Sequence, residues 1–431
     1  MSEQKQSTSL IGWLFIATLS FMPVVLWVSI PDQISAFSLL GIGKILGLFG
    51  TALFSISFFL STRLSILEKI FGGFNKIYDA HSKIGQAALI VLLFHPIFLL
   101  QNNSISASSA IRFFIPSENW AINWGIFSLF GMLILIIITL YLRPKYNLWK
   151  FTHKFLGFAF FLAALHIYLI PSDTSQNIPL RLYMLGIVGL GLLSFSYKTL
   201  LGSFFIKQFE CVVSEVHVLS ERIVEIILTP VAGTLSYTPG QFGFLSFKNS
   251  QMSSESHPFS FTSTNDKQYI SVLIKKLGDY TEKINEIPIG SQAWIEGPYG
   301  NFSFKTSRYK NQVWIAGGIG ITPFMSMARS LKPTDHYTID LYYCVRNPEE
   351  AVKIPELQAL SQNLQGIFRF ILYCSSQSGH ISPQYISKNS GGLEQKSFFL
   401  CAPVPMIHAM RYGLQKAGVS QNNIFSEEFN F

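Results

Sequence analysis

Four histidines, His81, His95, His153 and His166, are the only ones in the first 206 residues of this 431-residue chain. All four fall in or beside long apolar stretches, two on each of two stretches. Ionisable side chains at membrane depth are costly and by default mark function. A neutral imidazole is also a usual ligand for iron. His81 and His95 are 14 residues apart, roughly 21 Å along a helix, and His153 and His166 are 13 apart, roughly 19–20 Å. The two stretches run in the same direction, so His81 meets His153 at one depth and His95 meets His166 at a second. Such pairs suit two b-type haems, one near each face of the bilayer. A single membrane histidine is more simply a hydrogen-bonded packing residue; two pairs at matched depth favour ligation. At 100° per residue, fourteen steps return to within about 40° of the starting face, but thirteen leave about 140°. The stretch bearing His153 and His166 must therefore be locally irregular, or His153 must lie in a loosely wound first turn.

Composition supplies the setting for these histidines. Hydrophobic residues make up 49% and charged residues only 13% of the chain, a bias that points to a membrane component. Residues 1–206 hold 13 Lys/Arg and 6 Asp/Glu, and the remainder reads as an ordinary water-soluble fold. Six apolar stretches, 10–30, 38–61, 83–101, 121–142, 154–170 and 180–201, are each near the length that crosses a hydrocarbon core. The first lacks a small-residue cleavage site and reads as an anchor. Basic residues concentrate in 61–83 (Arg63, Lys69, Lys76, Lys83) and 143–154 (Arg143, Lys145, Lys150, Lys154). The opposite loops hold only Arg112 and Arg181 as cations. The positive-inside rule then places both termini in the cytosol, with the plasma membrane as the expected location. The net charge of +8 needs no nucleic-acid partner. Cys211, Cys344, Cys374 and Cys401 form no CxxC and all lie after residue 206, which argues against a structural disulfide or zinc site.

From about 208 to 305, short β-branched runs alternate with Gly/Pro turns, as in an antiparallel barrel. Within it lie Tyr237-Thr-Pro-Gly-Gln241-Phe242, His257-Pro258-Phe259-Ser260-Phe-Thr262-Ser263, a strand ending at Lys275, Leu277-Gly278-Asp-Tyr-Thr281 and Glu296-Gly-Pro-Tyr-Gly300. A dinucleotide pyrophosphate wants backbone donors in a tight turn, which Gly278 and Thr281 suit. Ser260 and Thr262 share one face of an extended strand and are placed to reach a flavin ring. After about 311, strands alternate with helices, so a parallel sheet is expected. Val313–Ala316 runs into Gly317-Gly318-Ile-Gly320-Ile-Thr322-Pro323, where glycines between a strand and a helix admit phosphates to backbone N–H groups. The predicted domains are 1–206 in the membrane, 207–307 for the barrel and 308–431 for the α/β sheet.

The histidine pairs, with thirteen and twelve intervening residues, resemble the ferric reductase-like transmembrane domain, specifically its NADPH oxidase branch. Trp149-Lys-Phe-Thr-His153-Lys154 resembles the start of that family's fifth helix. Pro96, directly after His95, departs from the animal oxidases and is expected to disturb the helix there. The four barrel motifs, in this order, resemble the FAD domain of the ferredoxin–NADP reductase superfamily. The His257-Pro258-Phe259-Ser260 form is that of oxidases and ferric reductases. The resemblance implies that His257 contacts the FAD phosphates together with the Gln241, Lys275, Gly278 and Thr281 region, and that Ser260 approaches the flavin. It also implies a nicotinamide loop at Gly317–Pro323 and an adenosine-ribose contact at Arg346, which would favour NADPH over NADH or else is a surface arginine. Cys401 stands near the nicotinamide, with Ala402 where the family has glycine; the other reading is a buried structural thiol. Phe431 is placed to stack on the flavin and move aside before hydride transfer. Phe158, Phe160 and Phe161 lie between the ligand depths. His217, His336, His380 and His408 carry no supporting pattern.

The expected activity is electron transfer from cytosolic NAD(P)H through FAD and two haems to dioxygen on the far side, giving superoxide. A ferric chelate is the competing acceptor. A transporter or membrane sensor with a reductase-like domain is the reading from another class, and it predicts no haem. No calcium-binding loop or SH3-ligand run is present, and no obligatory protein partner is evident.

Overall fold

The computed structural model describes residues 4–31, 34–100, 114–142, 146–248 and 255–428. The chain divides into two compact units, one of residues Thr8–Ile206 and one containing Lys207–Phe431.

In the first unit six described helices are long and apolar enough to cross a membrane: Leu10–Val28, Leu39–Leu60, Phe74–Leu100, Trp120–Ile137, Asn147–Leu169 and Ile178–Leu200. The third begins at Phe74 and not at 83, so His81 lies well inside it. Phe74, Ile77, Ala80, Ile84 and Ala88 are buried at spacings of three and four, one helical face. Lys76, Asp79 and Lys83 lie off that face and are exposed; their charges mask the helix start from a hydropathy reading. The helix continues through Pro96. That proline is four residues from the helix end, and the donor it lacks is the one that would bond Leu92 O, across the turn that carries His95. The second and third helices pack closely through glycines. A Cβ on Gly43, Gly47 or Gly50 would fall within 3 Å of Leu99, His95 or Leu92 respectively, so small residues here let two backbones approach.

The fifth span is broken. Helices Tyr146–Lys154 and Leu156–Leu169 meet at Phe155, whose N–H bonds to Thr152 O, three residues back, at 3.0 Å. This is the local irregularity that the thirteen-residue spacing requires.

The second unit joins two sheets. Strands β1 (Gln208–Ser220), β2 (Ile223–Pro230), β3 (Phe242–Lys248), β4 (His257–Ser260), β5 (Ile270–Lys275) and β6 (Gln292–Tyr299) form an antiparallel sheet in the order β4-β3-β6-β1-β2-β5. A bridge from Phe261 to Val272 links its two ends, closing a barrel around Val213, Ile226, Phe247, Phe261 and Ile295. Strands β7 (Asn311–Gly317), β8 (Thr338–Val345), β9 (Phe368–Cys374), β10 (Ser397–Cys401) and β11 (Ile424–Glu427) form a parallel sheet, β11-β10-β7-β8-β9. Both its faces are buried, which explains strands that are apolar throughout rather than alternating. One ion pair and one hydrogen bond tie the halves together. Lys353 Nζ reaches Glu225 at 2.7 Å. Arg329 holds Glu356 through Nε and Nη2 at 2.6 and 2.8 Å while Nη1 donates to Thr262 O at 2.7 Å.

Candidate functional site

The structure brings the membrane histidines together in the two expected pairs. The His81 and His153 ring centroids are 6.3 Å apart with planes at 71°. At this distance both rings could ligate a single ion held between them. The spacing fits. His95 and His166 line one cavity of about 340 Å³.

Hydrogen bonding sets the ring orientations. His81 Nδ1 lies 2.8 Å from Ser57 O, His95 Nδ1 2.7 Å from Gly43 O, and His166 Nδ1 2.7 Å from Ala121 O. A carbonyl only accepts, so in each ring Nδ1 carries the proton and Nε2 the lone pair that a metal takes. His153 is held differently, stacked on Trp149 with centroids 5.1 Å apart. Glycines make room: a Cβ on Gly47 would lie 2.7 Å from His95 Cε1, and one on Gly125 2.9 Å from His166 Nδ1. Among the described residues no three His, Cys, Asp or Glu side chains cluster as a metal site. An iron held by either imidazole pair thus needs its other ligands from a macrocycle, and the donor sets fit haem.

Of the three phenylalanines between the histidine depths, Phe160 is fully buried, while Phe158 and Phe161 are exposed. Phe160 packs on Phe54 and Phe58 at 5.1 Å each and lines the cavity. The polar end of that cavity was not legible from the sequence. Asp173 Oδ2 accepts from Trp27 Nε1 and Lys44 Nζ, both at 2.6 Å. Lys44 is the lone charge in the second span, and that was the available signal.

In the barrel, His257 to Ser260 form β4, paired to Leu245–Phe242 of β3. The His257 ring lies on Tyr280, centroids 4.2 Å apart, which sets it beside the Gly278–Thr281 turn. Thr281 Oγ1 accepts from Leu277 N and Gly278 N at 2.9 and 3.2 Å, so it organises the turn itself. Ser260 Oγ is buried and has no hydrogen-bond partner. An orphaned hydroxyl inside a fold is rare and calls for a missing partner, which a flavin edge would supply; the residues fit FAD. Thr262 is fully buried, and its hydroxyl pairs with Ser271 Oγ at 2.7 Å. Gln241 closes the adjoining turn, accepting from Thr238 N and donating to Gly300 O at 2.8 and 2.9 Å. Pro258 and Phe259 are half-buried on β4, and Lys275, half-buried, pairs with Ile223.

In the parallel sheet, β7 leads through a short 3-10 turn, Gly318–Ile321, into helix Thr322–Arg329, with Pro323 in its first turn. Gly318 has φ +54°, a region that favours glycine. A Cβ on Gly320 would sit 2.0 Å from Cys401 O, and one on Gly317 2.6 Å from Ala402 Cβ. Ala402 therefore takes space that Gly317 leaves open. Thr322 Oγ1 donates to Ile319 O at 3.0 Å. Arg346 is exposed just past β8, and its carbonyl accepts from Ser376 N. Cys401 is fully buried at the end of β10; burial, with Glu427 nearby, pushes its thiol well above the ordinary range. The thiol is therefore neutral in this state. Phe431 lies outside the described residues.

Three family models match in sequence: a ferric reductase like transmembrane component over residues 46–164, an FAD-binding domain over 208–303, and an oxidoreductase NAD-binding domain over 314–412. The first takes in His81, His95 and His153 and stops two residues before His166. The chain is 27% identical over 257 residues to the reductase component of propane 2-monooxygenase from Rhodococcus jostii, covering 55% of this chain and 68% of that one. It is 35% identical over 137 residues to ferric reduction oxidase 8, mitochondrial, of Arabidopsis thaliana, covering 28% of this chain and 18% of that one. A flavohemoglobin from Malassezia yamatoensis with bound FAD and heme aligns at TM-score 0.51 and 17% identity, over 91% of this chain and 97% of that one, a likeness of fold alone. With six apolar helices followed by an FAD- and an NAD-binding domain, the chain is a multi-pass transmembrane NAD(P)H-dependent oxidoreductase of the ferric reductase-like/NADPH oxidase architecture.

Proposed function

We propose that the chain carries electrons from NAD(P)H across the membrane through FAD and two haems to dioxygen, forming superoxide. Bound FAD would take a hydride from NAD(P)H and pass its two electrons singly to the haems, so that one NAD(P)H and two O2 give NAD(P)⁺, two superoxide anions and one proton. The carrying observation is the pair of imidazole couples, three of whose four rings have Nδ1 committed to a backbone carbonyl. His81 and His153 would hold one haem and His95 and His166 the other. Ser260 and His257 would hold FAD, and Gly317–Pro323 would admit the nicotinamide nucleotide. Basic residues Arg63, Lys69, Lys76 and Lys83 favour a plasma-membrane orientation with the nucleotide side in the cytosol.

Dioxygen is favoured because it needs no built binding site, and the cation near His95 and His166, Lys44, is neutralised by Asp173 instead of being left to hold an anionic ferric chelate. The likeness to the Arabidopsis ferric reduction oxidase favours the chelate reading instead. Purified protein reduced with dithionite should show the sharp bands of low-spin bis-imidazole haem; a featureless spectrum would favour the sensor or transporter reading. Given haem, superoxide yield measured against ferric-chelate reduction at matched NADPH decides the acceptor, and a large preference for iron overturns dioxygen.

A further inference from the structure

We propose that Glu255 is a positioning residue for the FAD pyrophosphate, acting by keeping the His257 imidazole cationic beside the Gly278–Thr281 turn. The inference rests on the FAD reading of the barrel. Glu255 Oε2 lies 2.9 Å from His257 Nε2, and the two side chains are only 10% and 24% exposed. A carboxylate held that close and that dry favours the protonated ring. Tyr280 covers one ring face at 4.2 Å and 32°. Because Tyr280 belongs to the Gly278–Thr281 turn, the contact fixes the cation next to the backbone on which a pyrophosphate would lie.

Among the described residues, the other charged groups on β3 and in the turn are exposed. On β3 the residue paired with His257 is Leu245, and the titratable residue on that strand is the exposed Lys248 at its far end. In the turn, the Asp279 carboxylate accepts from Tyr280 N at 2.9 Å, and Glu282 and Lys283 are exposed. Burial and Glu255 together raise the Tyr280 phenol, so it stays neutral and leaves Glu255 as the counter-charge. An imidazolium contributes to anion binding while it is protonated and ceases to as pH rises through its pKa. Glu255 extends that contribution to higher pH.

The test is FAD affinity of the flavin-depleted full-length protein in detergent, followed by flavin fluorescence from pH 6 to 9. In Glu255→Gln the affinity should match the wild type within about twofold at pH 6 and fall about tenfold or more below it at pH 8.5, one pKa unit being a factor of ten. His257→Gln should bind weakly with a flat pH profile, and Glu255→Asp should recover part of the high-pH affinity. A Glu255→Gln profile identical to wild type, or lowered equally at every pH, overturns the proposal. A wild-type protein that takes up no FAD at any pH sinks the flavin reading itself.

Discussion

Gly47 is the position where one added methyl group tests the proposed role of His95 as a haem ligand. In Gly47→Ala the new Cβ would lie 2.7 Å from both Cε1 and Nδ1 of His95. Carbon atoms rest about 3.5 Å apart or more, so the ring must retreat by about 0.8 Å or the second and third helices must part by as much. The His95 Nδ1 bond to Gly43 O, now 2.7 Å, would stretch to about 3.5 Å, the limit of a hydrogen bond. Overpacking of this kind costs about 1–3 kcal/mol, which the helix pair can bear. A metal site tolerates only about 0.5 Å of misplacement, which is less than the required shift. The expected result is a folded protein whose haem-to-flavin ratio drops from two towards one, with NADPH-driven flavin reduction intact. Gly125→Ala should act alike through His166, whose Nδ1 lies 2.9 Å from the added atom. Gly189→Ala, with nothing within 4 Å, is the control. Haem quantified by its pyridine adduct against released flavin gives the ratio. Two haems with unchanged potentials in Gly47→Ala would refute the assignment of His95 as a ligand.

Lys353→Met leaves the carboxylate of Glu225, 5% exposed, without its 2.7 Å partner. Loss of about 1–3 kcal/mol is expected for a buried carboxylate deprived of its hydrogen-bonded cation while Arg329 still acts on it, read as a fall in melting temperature of several degrees that Glu225→Gln added to the same chain should partly restore. An unchanged melting temperature would contradict it. Burial raises Cys211 to about 11 and Cys344, Tyr237 and Tyr343 to about 12. The unfolded chain ionises such groups from about pH 8.5 for thiols and 10 for phenols. Their contribution to stability is therefore complete below about pH 8.5 and is lost as pH rises towards 11–12. Urea midpoints should fall between pH 8 and 10.5, and native thiols should resist alkylation at pH 8; a constant midpoint would count against these shifts.

Much of this site is written in residue type and spacing, because haem ligation and nucleotide loops constrain the chain locally. The pairing of His81 with His153 follows from counting, and the break at Phe155 is the geometric debt of a thirteen-residue interval. The start of the third helix was not legible, since Lys76, Asp79 and Lys83 lower the hydropathy of a helix that is amphipathic there. The Trp27–Asp173–Lys44 cluster joins residues up to 146 positions apart, and no local pattern announces such a contact. Ala402, where the resembling family has glycine, is accommodated because Gly317 opposite it has no Cβ.

The proposed relay requires the membrane unit to hold two imidazole pairs at separate depths with water excluded between them, and its packing bears on that requirement. Phe160 sits on the fifth span between His153 and His166 and is wholly buried. Phe54 and Phe58 of the second span clasp it at 5.1 Å each, and Phe58 meets Phe195 at 5.7 Å. Two glycines allow this. A Cβ on Gly157 would fall 2.2 Å from Phe195, and one on Gly191 2.8 Å from Phe160. Rings locked against backbone cannot part to admit solvent without moving whole helices, because interiors packed this densely do not deform continuously. The aromatic plug thus maintains both the separation of the two histidine levels and the low dielectric around them. In that setting an electron exchanged between the levels meets few mobile dipoles to reorganise, which is the physical condition a transmembrane relay has to satisfy.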